Sequence, residues 1–178
     1  MNILFFGAQG SGKSTHAKYA ATKLNLPYIY TGDLFRKLED EDSERGKKIR
    51  ELMKKGILIP NEISIPAFKE YIEEFDTSNG LVLDGYPRNT EQAEKLPFDI
   101  DLILHITLPE KVAIERLSTR GRYDDTPEAI KKRLELFKQE TKPLYEYFKN
   151  KDVRIVEIDN SPEVEEVKSV IDDALKEG

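Results

Sequence analysis

Short apolar runs alternate along the chain with longer stretches whose apolar positions recur every three or four residues. The runs Asn2–Phe6, Pro27–Tyr30, Gly80–Asp84, Leu102–Thr107 and Val153–Ile158 read as strands. Several are nearly continuous Ile, Leu and Val, the pattern of strands buried on both faces of a parallel sheet. Helical spacing covers Lys13–Leu24, Gly32–Lys55 (broken near Ser43 to Gly46), Asn61–Phe75, Asn89–Leu96, Pro109–Thr119, Thr126–Lys149 and Pro162–Lys176. Pro109 and Pro162 fall at helix starts, where a missing N–H costs nothing, and Thr126-Pro-Glu reads as a cap followed by a first turn. The alternation predicts a doubly wound α/β fold, a five-stranded parallel sheet with helices on both faces, over residues 1–178. Two segments depart from it: 31–75, too long for one crossover, and the charge-rich 116–133.

Composition narrows this picture. The 178 residues are 38% hydrophobic and 35% charged, which fits one globular domain with a real core. No apolar run approaches the roughly 18 residues of a membrane span, and the chain enters its first strand without a basic leader, so a cytoplasmic protein is expected. The absence of cysteine removes disulfides and thiolate metal sites. A net charge of −6 argues against a general nucleic-acid or membrane binder. An anionic ligand would have to be drawn in by locally placed cations, so the positions of the nine arginines are informative.

The first strand runs directly into Gly7-Ala-Gln-Gly10-Ser11-Gly12-Lys13-Ser14-Thr15, which fits G-x-x-x-x-G-K-[ST]. Glycines let such a loop point its N–H groups at an anion, and the following helix adds the positive end of its dipole. Lys13 would reach the β- and γ-phosphates of a nucleotide, and the Ser14 hydroxyl would face a magnesium shell. Two further segments follow buried strands: Tyr30-Thr31-Gly-Asp-Leu-Phe-Arg36, and Leu83-Asp84-Gly85-Tyr-Pro-Arg88-Asn-Thr-Glu-Gln92. In a parallel sheet ligands collect at the carboxyl ends of strands, so these residues fall on the side of the phosphate loop. Arg36 and Arg88 there suit a second anionic group. Four more arginines, Arg116, Arg120, Arg122 and Arg133, lie within eighteen residues with Asp124 and Asp125 among them. Forked cations concentrated in this way suit phosphoryl transfer, which asks for positioning and electrostatics rather than covalent chemistry. Neither His16 nor His105 has a part in this reading.

Taken together, the phosphate loop, TGDLFR, GILIPNE, LDGYPRNTEQA, RGRYDD and the IKKRL helix resemble the nucleoside monophosphate kinases, and specifically the adenylate kinase family. The resemblance implies reversible transfer from magnesium-ATP to AMP, giving two ADP. It places ATP on Gly10, Ser11, Gly12, Lys13, Ser14 and Thr15, with Arg116 over the adenine and Asn160 or Ser161 beside it. It places AMP on Thr31, Arg36, Ile57, Leu58, Ile59, Gly85, Arg88 and Gln92, with Arg122 and Arg133 reaching both substrates. Lys13, Arg88, Arg120, Arg122 and Arg133 carry the transfer, and Asp84 and Ser14 hold magnesium, mostly through water. Segment 31–75 becomes the AMP-binding insertion and 116–133 a short lid without zinc, with Gly121 as a hinge, and a monomer is implied. Thr31 and Gln92 are the adenine-type residues, against a UMP/CMP-type or broad-specificity kinase. The more distant alternatives are a nucleotide-binding switch and a kinase for shikimate or gluconate. Gln9, Ser14 and Tyr86 depart from the family's usual loop and strand-end residues.

Overall fold

A computed structural model describes residues 1–176. Five strands form one sheet: β1 (Asn2–Phe6), β2 (Tyr28–Tyr30), β3 (Leu81–Asp84), β4 (Leu102–Thr107) and β5 (Arg154–Asp159). All neighbours are parallel, in the order β2-β3-β1-β4-β5. Eight helices connect and flank them: α1 (Lys13–Leu24), α2 (Thr31–Glu39), α3 (Glu44–Lys54), α4 (Asn61–Ile72), α5 (Thr90–Glu94), α6 (Glu110–Thr119), α7 (Pro127–Lys149) and α8 (Val164–Lys176).

The alternation of side chains along a strand splits each apolar run between two cores. Ile3 and Phe5 of β1 face one side with Val82 and Leu104, under α1 and α8. Leu4 faces the other with Leu81, Leu83, Ile103 and Phe68, and with Leu144 and Phe148 of α7. Both faces are thus covered, which is why the central strands carry hydrophobic residues at every position. A third apolar cluster, Leu34, Leu38, Ile49, Ile59 and Ala67, ties α2, α3 and α4 together between β2 and β3. Leu117, Ile130 and Leu134 join α6 to α7.

The expected elements are all present, with shifted ends. The break in 32–55 falls at residues 40–43, and Ser43 caps α3 by accepting the Gly46 N–H at 3.0 Å. The stretch expected as helix over Asn89–Leu96 is only one short turn, capped by Asn89, whose side chain accepts the Gln92 N–H. Thr126 does cap α7, accepting from the Ala129 N–H at 3.2 Å. Thr31, by contrast, is the first residue of α2 and not its cap; Tyr30 holds that position without a side-chain cap bond. No helix among the described residues is long and apolar enough to cross a membrane.

Candidate active site

The sheet order brings the carboxyl ends of β1, β2 and β3 side by side, so the segments after them share one crevice. Register fixes the alignment: Asp84 at the end of β3 pairs with Phe5 on one side and Tyr30 on the other.

After β1 the chain turns through a loop in which Gly10 and Gly12 have φ of +82° and +90°. A Cβ on Gly10 would stand 2.6 Å from the Ala113 carbonyl oxygen, so only glycine lets the loop lie against α6. Gly12 precedes α1 and offers no side-chain cap, so the Lys13 and Ser14 N–H groups are left to face an anion while the Thr15 N–H bonds the Gly12 carbonyl. Lys13 follows directly and is half-buried. Burial lowers its pKa, Asp84 opposes the shift, and Arg88 adds to it. Its ammonium donates to the Ala8 carbonyl at 3.4 Å. The loop is braced from behind by Asn160, after β5. Asn160 Nδ2 donates to the Ser11 carbonyl oxygen at 2.7 Å, and its Oδ1 lies 2.8 Å from His16 Nε2. Because Oδ1 only accepts, Nε2 carries the proton of this bond. Burial lowers the His16 pKa and so favours the neutral ring, against the opposing Asn160 bond.

On the β2 and β3 side, Arg88 Nε donates to the Gly85 carbonyl at 2.8 Å, and Arg36 Nη1 donates to the Gly32 carbonyl at 2.9 Å. Gln92 is buried and held on several sides. Its Oε1 accepts the Arg88 backbone N–H at 2.7 Å, and its Nε2 donates to Asn61 Oδ1 at 3.0 Å and Ser64 Oγ at 3.1 Å. Both amide hydrogens are therefore occupied, and one lone pair of Oε1 remains.

On the α6–α7 side, Asp124 and Asp125 organise the arginines. Arg120 forms a two-pronged pair with Asp125 at 2.7 and 2.6 Å. Arg133 reaches Asp124 at 2.5 Å, Asp125 at 3.0 Å and the Met53 carbonyl of α3 at 3.0 Å. Tyr123 donates to Glu39 at the end of α2. Two further bonds thus join 116–133 to 31–75 across the crevice. Gly121, at φ +73° with nothing near its missing Cβ, is free to turn.

The three sides enclose a cavity of about 530 Å³, lined by the phosphate loop with Lys13 and also by Arg36 and Arg88. Against known proteins, the adenylate kinase family matches residues 5–153. The chain is 37% identical over 174 residues to an adenylate kinase of Corynebacterium urealyticum, covering 94% of each. It is 38% identical over 157 residues to that of Mycobacterium tuberculosis, covering 84% of this chain and 87% of the relative. It is 33% identical to that of Caldicellulosiruptor saccharolyticus over 209 aligned positions, covering 96% of this chain and 97% of the relative. The chain belongs to the adenylate kinase family.

Most of the residues singled out in the sequence do come together in this adenylate kinase fold. Gly10, Gly12, Lys13, Ser14, Thr15, Arg36, Ile57, Leu58, Ile59, Gly85, Arg88, Gln92, Arg116, Arg120, Arg122 and Arg133 all line the cavity. Ser11, Thr31, Asp84, Asn160 and Ser161 stand back from it. Ser11 and Thr31 are buried with hydroxyls that have no partner, while Ser161 is exposed and folds its hydroxyl and N–H onto Asp159. Asn160 works through its side chain on the phosphate loop, and His16, set aside from sequence, is the group that orients it. Tyr28, Tyr30 and Ser64 line the cavity without having been singled out. The strand period would have found the first two, since alternate residues of YIY share a face. Nothing in the sequence marks Ser64, because its partner Gln92 is 28 residues away.

Asp84 is fully buried at the sheet edge of the crevice. Its Oδ2 accepts from Ser14 Oγ at 2.5 Å and Tyr28 OH at 2.8 Å, while Oδ1 has no partner. A buried carboxylate oxygen left unpaired is costly. Together with the Ser14 hydroxyl it is a hard oxygen donor set of the kind magnesium and its water shell take. The residues fit that ion.

Proposed function

We propose that this chain catalyses reversible phosphoryl transfer from ATP to AMP, giving two ADP. The supporting observation is a cavity lined both by the phosphate loop and by a second set of cations, Arg36 and Arg88. A switch needs only the loop, whereas a two-substrate kinase needs both. Family membership and the adenylate kinase names of its relatives agree.

In this reading the loop N–H groups and Lys13 hold the donor phosphates, with Arg116 beside the adenine near Gly12. Arg36 and Arg88 hold the acceptor phosphate. Arg120, Arg122 and Arg133 line the same cavity and meet the charge that spreads over the transferred group, and Asp124 and Asp125 fix two of these guanidinium forks. No general base is required, because the attacking phosphate oxygen is already anionic. Magnesium, held through water by Asp84 and Ser14, would neutralise part of the donor's charge. Gln92 offers its remaining Oε1 lone pair to the amino group of adenine, while Asn61 and Ser64 keep the amide from turning over. Ile57, Leu58 and Ile59 cover the base, and the buried Thr31 backs the same pocket. Segment 116–133 is the lid, and its bonds to α2 and α3 are those of a closed form. Closure excludes water that would otherwise hydrolyse ATP.

A coupled assay of ADP formation tests this, with magnesium-ATP as donor and AMP, CMP, UMP, GMP, shikimate or no acceptor. Turnover largely confined to AMP is expected. Strong turnover with CMP or UMP would overturn the base assignment, and hydrolysis independent of any acceptor would overturn the transferase reading.

A further inference from the structure

Tyr30 ends β2 at the acceptor end of the cavity, and nothing in the reading above uses it. Its ring stacks on Tyr28, centroids 6.1 Å apart and 12° from parallel, so both hydroxyls point the same way off the strand. Tyr28 spends its proton on Asp84. Tyr30 instead turns over the start of α2: a Cβ on Gly32 would lie 2.3 Å from the Tyr30 hydroxyl oxygen, so glycine there makes room for the phenol. A Cβ on Gly85 would lie 3.7 Å from the Tyr30 ring and 3.6 Å from Arg88 Nη2, so ring and guanidinium border the same space.

The Arg36 guanidinium comes to the same glycine, its Nη1 donating to the Gly32 carbonyl at 2.9 Å, and Arg36 and Arg122 act on the phenol as neighbouring cationic donors. Arginine has no acceptor. The Tyr30 oxygen can therefore only accept from these partners, and its proton is left to donate elsewhere. Among the described residues three carboxylates stand about this site, and none accepts from Tyr30: Asp33 pairs with Arg36, Asp124 accepts from Arg133, and Asp84 Oδ2 serves Ser14 and Tyr28. The cationic surroundings are strong enough that, although burial raises the phenol's pKa, Arg122 and Arg36 bring it below its ordinary value. A hydroxyl polarised by arginines, with a free proton, on the wall of a phosphate-binding cavity is a donor awaiting an anion.

We propose that Tyr30 is a further acceptor-binding residue of this enzyme, its hydroxyl donating to the phosphate of the nucleoside monophosphate while accepting from Arg36 and Arg122. This rests on the AMP-acceptor reading. The phenol then joins an arginine of α2 to an arginine of 116–133 through one oxygen, and completes a phosphate cradle that guanidinium groups alone leave without a neutral donor. Base recognition lies elsewhere, on Gln92, so the contribution belongs to any nucleoside monophosphate the site accepts.

The experiment is steady-state kinetics of Tyr30→Phe, which keeps the ring against Tyr28 and removes only the hydroxyl. One lost hydrogen bond to a charged group is expected to raise the KM for AMP by about tenfold or more. The KM for ATP should stay within about twofold, because that substrate binds at the other end. An unchanged or lowered KM for AMP overturns the proposal; a lowered value means that the phenol stands in the phosphate's place and must be displaced. Failure of the AMP reading itself looks different, since the unaltered enzyme would then show no AMP-dependent turnover. Thermal melting reports whether the variant is folded. Should it not be, the unaltered chain with ¹³C at tyrosine Cζ answers the same question. AMP without ATP should then shift at least one tyrosine Cζ resonance with the midpoint of AMP binding, and no shift overturns the proposal.

Discussion

Arg88→Ala separates binding chemistry from stability. Arg88 is half-buried, and desolvation pushes its pKa down against the help of Tyr30 and Asp84. Unlike Arg120 and Arg133, which are clamped by Asp125 and Asp124, it has no carboxylate partner among the described residues, and its Nε rests on the Gly85 carbonyl. The remaining guanidinium N–H groups are therefore kept for a ligand. Two charge-assisted hydrogen bonds to an acceptor phosphate, at about 1.5–3 kcal/mol each, amount to about 3–6 kcal/mol. At about 1.4 kcal/mol per power of ten, kcat/KM for AMP should fall by about 10² to 10⁴. Stability should behave differently. Losing the bond to Gly85 costs about 1–3 kcal/mol, but removing a partly desolvated charge gives some of that back. The melting midpoint should thus move by less than about 12 °C, because 1 kcal/mol corresponds to about 2–4 °C in a chain of this size. The coupled ADP assay and calorimetric melting on the same preparation check both numbers. Activity within tenfold of the unaltered enzyme would refute the role given to Arg88. A collapse of the melting midpoint would refute the claim that its charge is held for a ligand rather than for the fold.

Asp84→Asn keeps the shape of the site and removes its negative charge, so half-maximal activity should require about tenfold more magnesium, read from a magnesium titration at saturating nucleotides. Asn160→Ala leaves the Ser11 carbonyl and the His16 Nε2–H without partners. It should lower stability by about 1–3 kcal/mol in denaturant unfolding and raise the KM for ATP while sparing that for AMP. Both His16 and His105 have folded pKa values lowered by burial. The unfolded chain therefore binds more protons than the native one below about pH 6.5, the ordinary histidine value. Unfolding free energy should be level just above that pH and decline as the pH falls toward 5, and His16→Gln should reduce the decline in a urea series across that window.

The sequence by itself determined the architecture, because that information is local and repeated. Runs such as LVLD and LILHIT, hydrophobic at nearly every position, are stable only between two covered faces, and the helical spacing between them supplies the covers. It also determined the phosphate loop, since glycine at positions 10 and 12 is demanded by backbone angles that other residues avoid. Tertiary structure alone decided what each side chain spends its hydrogen bonds on. Gln92 is committed to Asn61 and Ser64, residues 31 and 28 positions away. Asn160 braces a loop 149 residues earlier in the chain, and is itself held by a histidine that local sequence gives no reason to notice. Tyr30 reads from sequence as one more residue of an apolar strand. It becomes a polar group of the active site only because parallel pairing sets it beside Asp84, and Gly32 leaves room for its ring to turn toward Arg36 and Arg122. Hydrophobic burial follows a periodic pattern along the chain and can be read there. Pairing of polar groups across the crevice depends on which strand ends lie next to each other, and that is fixed only when the sheet closes.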